Sequence, residues 1–264
     1  MSNAPVVNDV LGTSGDPIVR RIGMHDIKDA LTEGYSDFLS APTQLFFLGV
    51  IYPLVGLIAA RAASGGHLLP LLYPMVAGLS LMGPIAAIGI YELSRRREQR
   101  LAVSWLNAFD VLRSPAIGAI VALGLLMCGI FVAWLFAAQA VYRMTIGDLP
   151  PGSIGEFFNR VFTTPEGWRL IIWGNAVGFL FAALVLTLTV VSFPLLLDKH
   201  VRLRTAVMTS IRVVAINPVT MAVWGLIVAA ALAVGCLPLF VGLAVVMPIL
   251  GHATWRLYRR AVVA

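Results

Sequence analysis

Apolar residues gather in six long runs, Leu45–Ala60, Leu68–Tyr91, Ile117–Val141, Leu170–Leu197, Val219–Gly235 and Leu239–Leu257. A helix rises about 1.5 Å per residue, so about 20 apolar residues cross a hydrocarbon core about 30 Å thick. Each run is therefore read as a transmembrane span. The first is short, but Thr43 and Gln44 can lie in the headgroup zone. The fifth and sixth are separated only by Cys236-Leu237-Pro238 and are together too long for one crossing. Gly235 and Pro238 supply turn chemistry between them, which predicts a tight helical hairpin rather than one bent helix.

The polar segments are patterned as well. Three amphipathic stretches each end in a small or polar residue followed by proline: Asp26–Ala41 before Pro42, Leu101–Ser114 before Pro115, and Val201–Asn217 before Pro218. In the first, Ile27, Leu31, Phe38 and Leu39 can share one face, opposite Asp26, Lys28, Asp29 and Glu33. Proline disfavours helical geometry in the residue before it but suits the first turn of a new helix. Each stretch thus reads as an interfacial helix broken from the span that follows. The ends of the second and sixth runs also match without gaps, Pro84-Ile85 through Tyr91-Glu92-Leu93-Ser94-Arg95-Arg96 against Pro248-Ile249 through Trp255-Arg256-Leu257-Tyr258-Arg259-Arg260. The fourth run carries Pro194 but fits this pattern poorly. Between the third and fourth runs, Ile154, Phe157, Phe158, Val161 and Phe162 recur at surface-helix spacing. Thr164-Pro165-Glu166 reads as a cap, a first-turn proline and an acid opening the fourth span.

The expected architecture is an all-α polytopic transmembrane bundle of about six spans as three hairpins. Each hairpin is preceded by a cytoplasmic interfacial helix. Residues 1–24 are expected to be a disordered cytoplasmic segment, and 25–264 a single transmembrane helical domain.

Charge orients the bundle. Fifteen of the 19 lysines and arginines fall in the even-numbered loops and the two ends, and four in the odd loops. Basic residues concentrate on the cytoplasmic side of a membrane, so both ends are placed there, in a bacterial inner membrane. Composition agrees: 12% of residues are charged and the mean hydropathy is +0.89, too little charge to cover a soluble domain, which carries about 25%. A net charge of +6 could suggest nucleic acid, but the arginines sit at the ends of apolar runs, where they pair with anionic headgroups. Nucleic acid is excluded as a partner. No apolar run of signal-peptide length lies in the first forty residues.

Ionisable residues within spans are functional suspects by default. Glu92 ends the second run, one turn from Arg95 and Arg96, and reads as an interfacial salt bridge or, less simply, a proton or cation relay. Asp198 closes the fourth run beside Lys199. His252 is the histidine inside a predicted span, and Asn217 stands directly before Pro218. These six, Glu92, Arg95, Arg96, Asp198, Asn217 and His252, are the candidate functional residues. Met75 with Met82, and Met127 beside Cys128, are soft donors suited to copper(I) but read more simply as packing. Gly174 and Gly178 form a Gly-x-x-x-Gly that signals close helix approach. Hydrolase, zinc-protease, phosphate-loop and dinucleotide signatures are missing, so no catalytic site, metal or cofactor is expected.

Several stretches resemble a bacterial family of predicted integral membrane proteins catalogued as a domain of unknown function. They are Gly83-Pro84 through Arg96, Ser192-Phe193-Pro194-Leu195-Leu196-Leu197-Asp198, Asn217-Pro218, Trp224-Gly225, and Gly251-His252-Ala253-Thr254-Trp255 with Leu257-Tyr258-Arg259. The resemblance runs from about Asp26 onward. Some relatives are labelled cytochrome c oxidase subunit I, but a haem-copper core needs several histidines within its spans and this chain offers one. The family implies a fold and a location and no activity. The expected role is an accessory, assembly or organising factor, with anionic lipid and another membrane complex as partners. Arg95, Arg96, Arg97 and Arg100 are expected to face them. The rival is a transporter or channel for a small solute or ion, which would need Gln139, Asn175 and His252 to converge on a polar path.

Overall fold

The computed structural model describes residues 17–40, 74–75, 83–148, 153–238 and 241–263. The predicted first span, most of the second, Pro42, Met82 and the turn at 149–152 lie outside the described residues. Described elements begin with β1 (Ile18–Val19) and α1 (Met24–Leu39). A helical turn at Gly83–Ala86 leads into α2 (Ile88–Glu98), followed by a 3-10 helix (Trp105–Arg113), α3 (Ile117–Thr145) and α4 (Ile154–Thr163). Then come α5 (Pro165–Thr189), α6 (Ser192–Lys199), α7 (Leu203–Ile216), α8 (Pro218–Cys236), α9 (Leu243–Ala261) and β2 (Val262–Val263).

Local chemistry sets these boundaries. Asp26 accepts the Gly23 N–H at 2.8 Å, satisfying a free donor at the start of α1. Ile27, Ala30, Gly34, Asp37 and Phe38 then bury one face at steps of three and four residues. Ser114, with φ −64° and ψ 136°, is extended as a residue before proline prefers, and α3 starts beyond Pro115. Asn217 is likewise non-helical, and Pro218 is the first residue of α8. Ser153 Oγ accepts the Glu156 N–H at 3.1 Å to open α4, and Thr164 Oγ1 accepts the Gly167 N–H at 3.1 Å to open α5.

Three described helical stretches are long and apolar enough to cross a membrane, Ile117–Thr145, Pro165–Lys199 and Pro218–Cys236. Their outward faces are apolar: Phe136 is 73% exposed, Phe179 71% and Leu226 69%. Soluble proteins seldom expose such surface over whole helices, and lipid covers it without cost.

The fourth predicted run is not one straight helix. A stretch of 35 residues would measure about 52 Å, well beyond a core about 30 Å thick. Pro194 explains the break, because its ring excludes the carbonyl four residues back, that of Val190. The chain turns at Val190–Val191, and Pro194 falls in the first turn of α6. All of Ser192 to Leu197 is buried in protein. The apolar tail of this run is therefore core packing, and lipid does not explain it.

The described residues form two compact units. One contains 84–124, 186–238, 241–263 and the segment from 17 to 40. Within it α2, α6 and α9 pack on one another. Each is flanked by an amphipathic helix: α2 by the 3-10 helix, α6 by α7, and α9 by α1. Two of these crossings bring backbones together. A Cβ on Gly34 would lie 2.6 Å from the Ala253 nitrogen, and one on Gly89 would lie 2.9 Å from Ala108 Cβ. α8 packs beside α9, and Gly235 and Gly242 meet at the turn between them. The expected disorder of residues 1–24 fails from Pro17 onward. Ile18–Val19 pairs antiparallel with Val262–Val263, and Ile22 is buried.

The second unit includes 125–148 and 153–185. Trp134 donates to the Pro74 carbonyl at 2.8 Å and meets the Phe181 ring at a tilt, with centroids 5.6 Å apart. Gly178 sits beneath the Trp134 ring, whereas Gly174 has nothing within 4 Å among the described residues. Arg160 donates to the Ile146 carbonyl at 3.0 Å, and Tyr142 meets Phe157 at 6.4 Å, which seats α4.

Candidate functional site

In the first unit, the ends of α2, α6 and α9 carry a dense set of acids and arginines. Helical spacing places Glu92 one turn before Arg95, and Arg95 grips it through Nε and Nη2, both at 2.8 Å. Glu92 is 2% exposed, and this two-point contact gives both of its carboxylate oxygens a donor. The hydrogen bonds that Arg95 donates to Glu92 raise its guanidinium further above its ordinary value. Arg96 reaches sideways instead, to Asp110 of the 3-10 helix at 2.9 Å, and Asn107 donates to the same oxygen at 2.8 Å.

Helix α9 supplies the opposing set. Arg256 donates to both oxygens of Asp37 at 2.8 and 3.0 Å. Arg97 joins from α2, with Nη1 at 2.6 Å from the Asp37 carbonyl and 3.1 Å from its carboxylate, and it also contacts Ser40 Oγ. Arg260 pairs with Glu33 at 2.6 Å. Arg259 bridges Glu98 at 3.0 Å and Asp198 at 3.2 Å. Trp255 Nε1 donates to Glu98 at 3.1 Å, and the Tyr258 hydroxyl donates to Asp198 at 2.7 Å. Burial first, then the Asp198 charge, holds the Tyr258 phenol protonated well above the usual tyrosine range, so it remains a donor.

The other two candidates do different things. His252 is buried, with Nδ1 2.7 Å from Ser94 Oγ across the α9–α2 crossing, while its Nε2 has no hydrogen-bond partner among the described residues. Asn217 stands away from the arginines as a clamp. Its Oδ1 accepts the Ile22 N–H at 2.8 Å, and its Nδ2 donates to the Arg20 carbonyl at 3.1 Å and the Val213 carbonyl at 3.0 Å.

Glu92, Arg95, Asp198 and, through Ser94, His252 thus gather around three helix ends. The residues unforeseen from sequence are Asp37 and Glu98, which accept from arginines on α2 and α9. One signal pointed to Asp37: it is an acid on the apolar face of α1, beside Phe38. Three of the four arginines expected to face lipid or a partner are engaged within the fold, since Arg95, Arg96 and Arg97 bind Glu92, Asp110 and Asp37, and Arg100 is not. Met127 is buried while Cys128 is exposed, so these neighbours do not share a site. Asn175 is exposed and donates to the Ile171 carbonyl of its own helix at 2.7 Å. Gln139 Oε1 is buried without a partner among the described residues.

Comparison with known families places this core. Residues 72–198 match the family described as "Predicted integral membrane protein (DUF2189)". The matched segment holds α2, the 3-10 helix and α3 through α6, and with them Glu92, Arg95, Arg96 and Asp198. Helices α1, α7, α8 and α9, carrying Asp37, Asn217, His252 and Arg256, lie outside it. The resemblance read from sequence therefore holds for the DUF2189 segment, over a shorter stretch than Asp26 onward. No curated protein and no solved structure matches the chain.

Proposed function

We propose that the chain is a non-catalytic organising or assembly protein of a bacterial inner membrane. Six spans form three hairpins, both ends face the cytoplasm, and the amphipathic elements lie on that leaflet. The observation that carries the reading is the bonding of the candidate site itself. Glu92, Asp37 and Glu98 place both carboxylate oxygens on an arginine or an indole of the same fold, and Asp198 places Oδ2 on Arg259 and Tyr258. A general acid or base needs a free lone pair or proton aimed at a substrate, and a relay needs groups that can exchange partners. A mutually neutralised cluster instead fixes helix ends relative to one another, which suits a scaffold.

The cations left for a partner are those on the outside. Arg202 and Arg204 are exposed at the start of α7. Purification of the tagged protein from native membranes in mild detergent is expected to bring down a defined membrane complex. Reversal of both charges (Arg202→Glu with Arg204→Glu) is expected to weaken that capture. Identical co-purification with and without the two arginines, or no enriched protein at all, contradicts the partner reading. Membrane-impermeant thiol labelling tests the orientation: cysteines at Arg100 and at Asn159 must react from opposite sides.

A further inference from the structure

The 3-10 helix after α2 is built with two unlike sides. Its inner side is fully committed: Val111 is buried, Ala108 lies against Gly89, and Asp110 is held by Arg96 and Asn107. Its outer side is large and apolar, with Trp105 51%, Leu106 58% and Leu112 68% exposed. Arginines flank that side. Arg113 is 90% exposed, and its nearest carboxylate oxygen, on Asp110, is 4.0 Å away. The other Asp110 oxygen is taken by Arg96. Arg100 is turned outward by a left-handed backbone (φ 57°) just past α2, and its guanidinium has no partner among the described residues.

What covers this side follows from the chain itself. Helix α3 begins at Ile117, and Val121 in its second turn is already 50% exposed. Lipid must cover that part of a membrane-crossing helix. Five residues of fully extended chain reach at most about 18 Å, so Leu112 cannot stand far from the same bilayer. Tryptophan with leucines, flanked by arginines, is the composition that settles between acyl chains and headgroups. A soluble protein partner would have to reach the same face through the headgroup layer.

We propose that Leu101–Arg113 is a bilayer-interface anchor. Trp105, Leu106 and Leu112 enter the boundary of an anionic leaflet, and Arg100 and Arg113 pair with lipid phosphate. The inference rests on the membrane reading above but requires no protein partner. It is tested on the purified full chain alone in phosphatidylglycerol-containing liposomes, so a failed search for a partner has no bearing on it.

Cys128 and Cys236 are first replaced by alanine, and single cysteines at Leu106 or Leu112 are labelled with an environment-sensitive fluorophore. Monodisperse elution in detergent establishes that each variant is folded. Blue-shifted emission, quenched by nitroxide lipids and more strongly by a headgroup nitroxide than by one deep in the chain, is the expected result. Water-like, unquenched emission at both positions overturns the anchor. Reversal of Arg100 and Arg113 to glutamate is expected to lower phosphatidylglycerol preference over a zwitterionic lipid by roughly fivefold per arginine. Unchanged preference overturns the pairing with phosphate.

Discussion

At the scale of single residues, Asp37 is the most consequential side chain in the charged cluster. It is 6% exposed and accepts from arginines on two other helices. Removing one partner of a buried ion pair strands the other charges in a medium that solvates them poorly. Asp37→Ala is therefore expected to destabilise by about 3 kcal/mol, since Arg97 and Arg256 lose their shared acceptor. The exposed pair Arg143–Asp148, with side chains 63% and 84% accessible, is the control. Asp148→Ala should change stability by less than about 0.5 kcal/mol, because water already screens that pair. Denaturant midpoints in one detergent compare the two, and equal shifts would contradict the buried-cluster account. The same contrast explains what was legible in the sequence. Glu92 and Arg95 could be paired on paper because helical geometry relates residues three apart. Asp37 finds its arginines 60 and 219 positions away, a distance that spacing rules do not bridge.

At the scale of elements, the amphipathic stretches were visible because polar and apolar residues alternate at helical steps. The expected Asp26–Ala41 is Met24–Leu39, and Val201–Asn217 is Leu203–Ile216. Within Leu101–Ser114 the helix is Trp105–Arg113 and is 3-10, a difference that hydropathy does not encode. The division at Val190–Val191 was hidden for another reason. An apolar run says that water is excluded, not whether lipid or protein excludes it, and Ser192–Leu197 is enclosed by protein. How closely two helices approach was also illegible, since a glycine in sequence does not announce its partner. Gly34 in α1 touches the Ala253 backbone of α9, so a methyl group there would force the helices apart. Gly34→Ala is expected to cost about 2 kcal/mol through overpacking. Gly118 in α3 has nothing within 4 Å among the described residues, and Gly118→Ala should be neutral or stabilising by up to about 1 kcal/mol from helix propensity. A lowered thermal midpoint for Gly34→Ala beside an unchanged or raised one for Gly118→Ala marks α1 against α9 as a backbone-to-backbone contact. Similar small effects at both sites would show that α1 is only loosely laid on α9.

At the scale of the whole molecule, the unit built on α2, α6 and α9 is closed by residues from opposite ends of the chain. The 3-10 helix and α7 each flank a helix near them in sequence, but the flanking partner of α9 is α1. Three independent contacts secure that closure. Ile18–Val19 pairs with Val262–Val263, the Arg20 N–H donates to the Ala261 carbonyl at 2.8 Å, and Asn217 with Thr220 holds Ile22. Side chains of directly opposed strand residues lie about 4.5–5.5 Å apart at Cβ, close enough for a disulfide to form with small adjustment. Strand side chains alternate faces, so moving one partner by a single residue points the two thiols apart. In a background lacking Cys128 and Cys236, Ile18→Cys with Val263→Cys is therefore expected to oxidise to an intramolecular disulfide that speeds migration on a non-reducing gel. Ile18→Cys with Val262→Cys should remain largely reduced under the same oxidant. Asn217→Ala, by releasing the Ile22 segment, should lower the yield of the in-register bond without raising that of the shifted one. Equal yields in both registers would mean that the two strands meet only in passing, and that α1 reaches α9 without being held there.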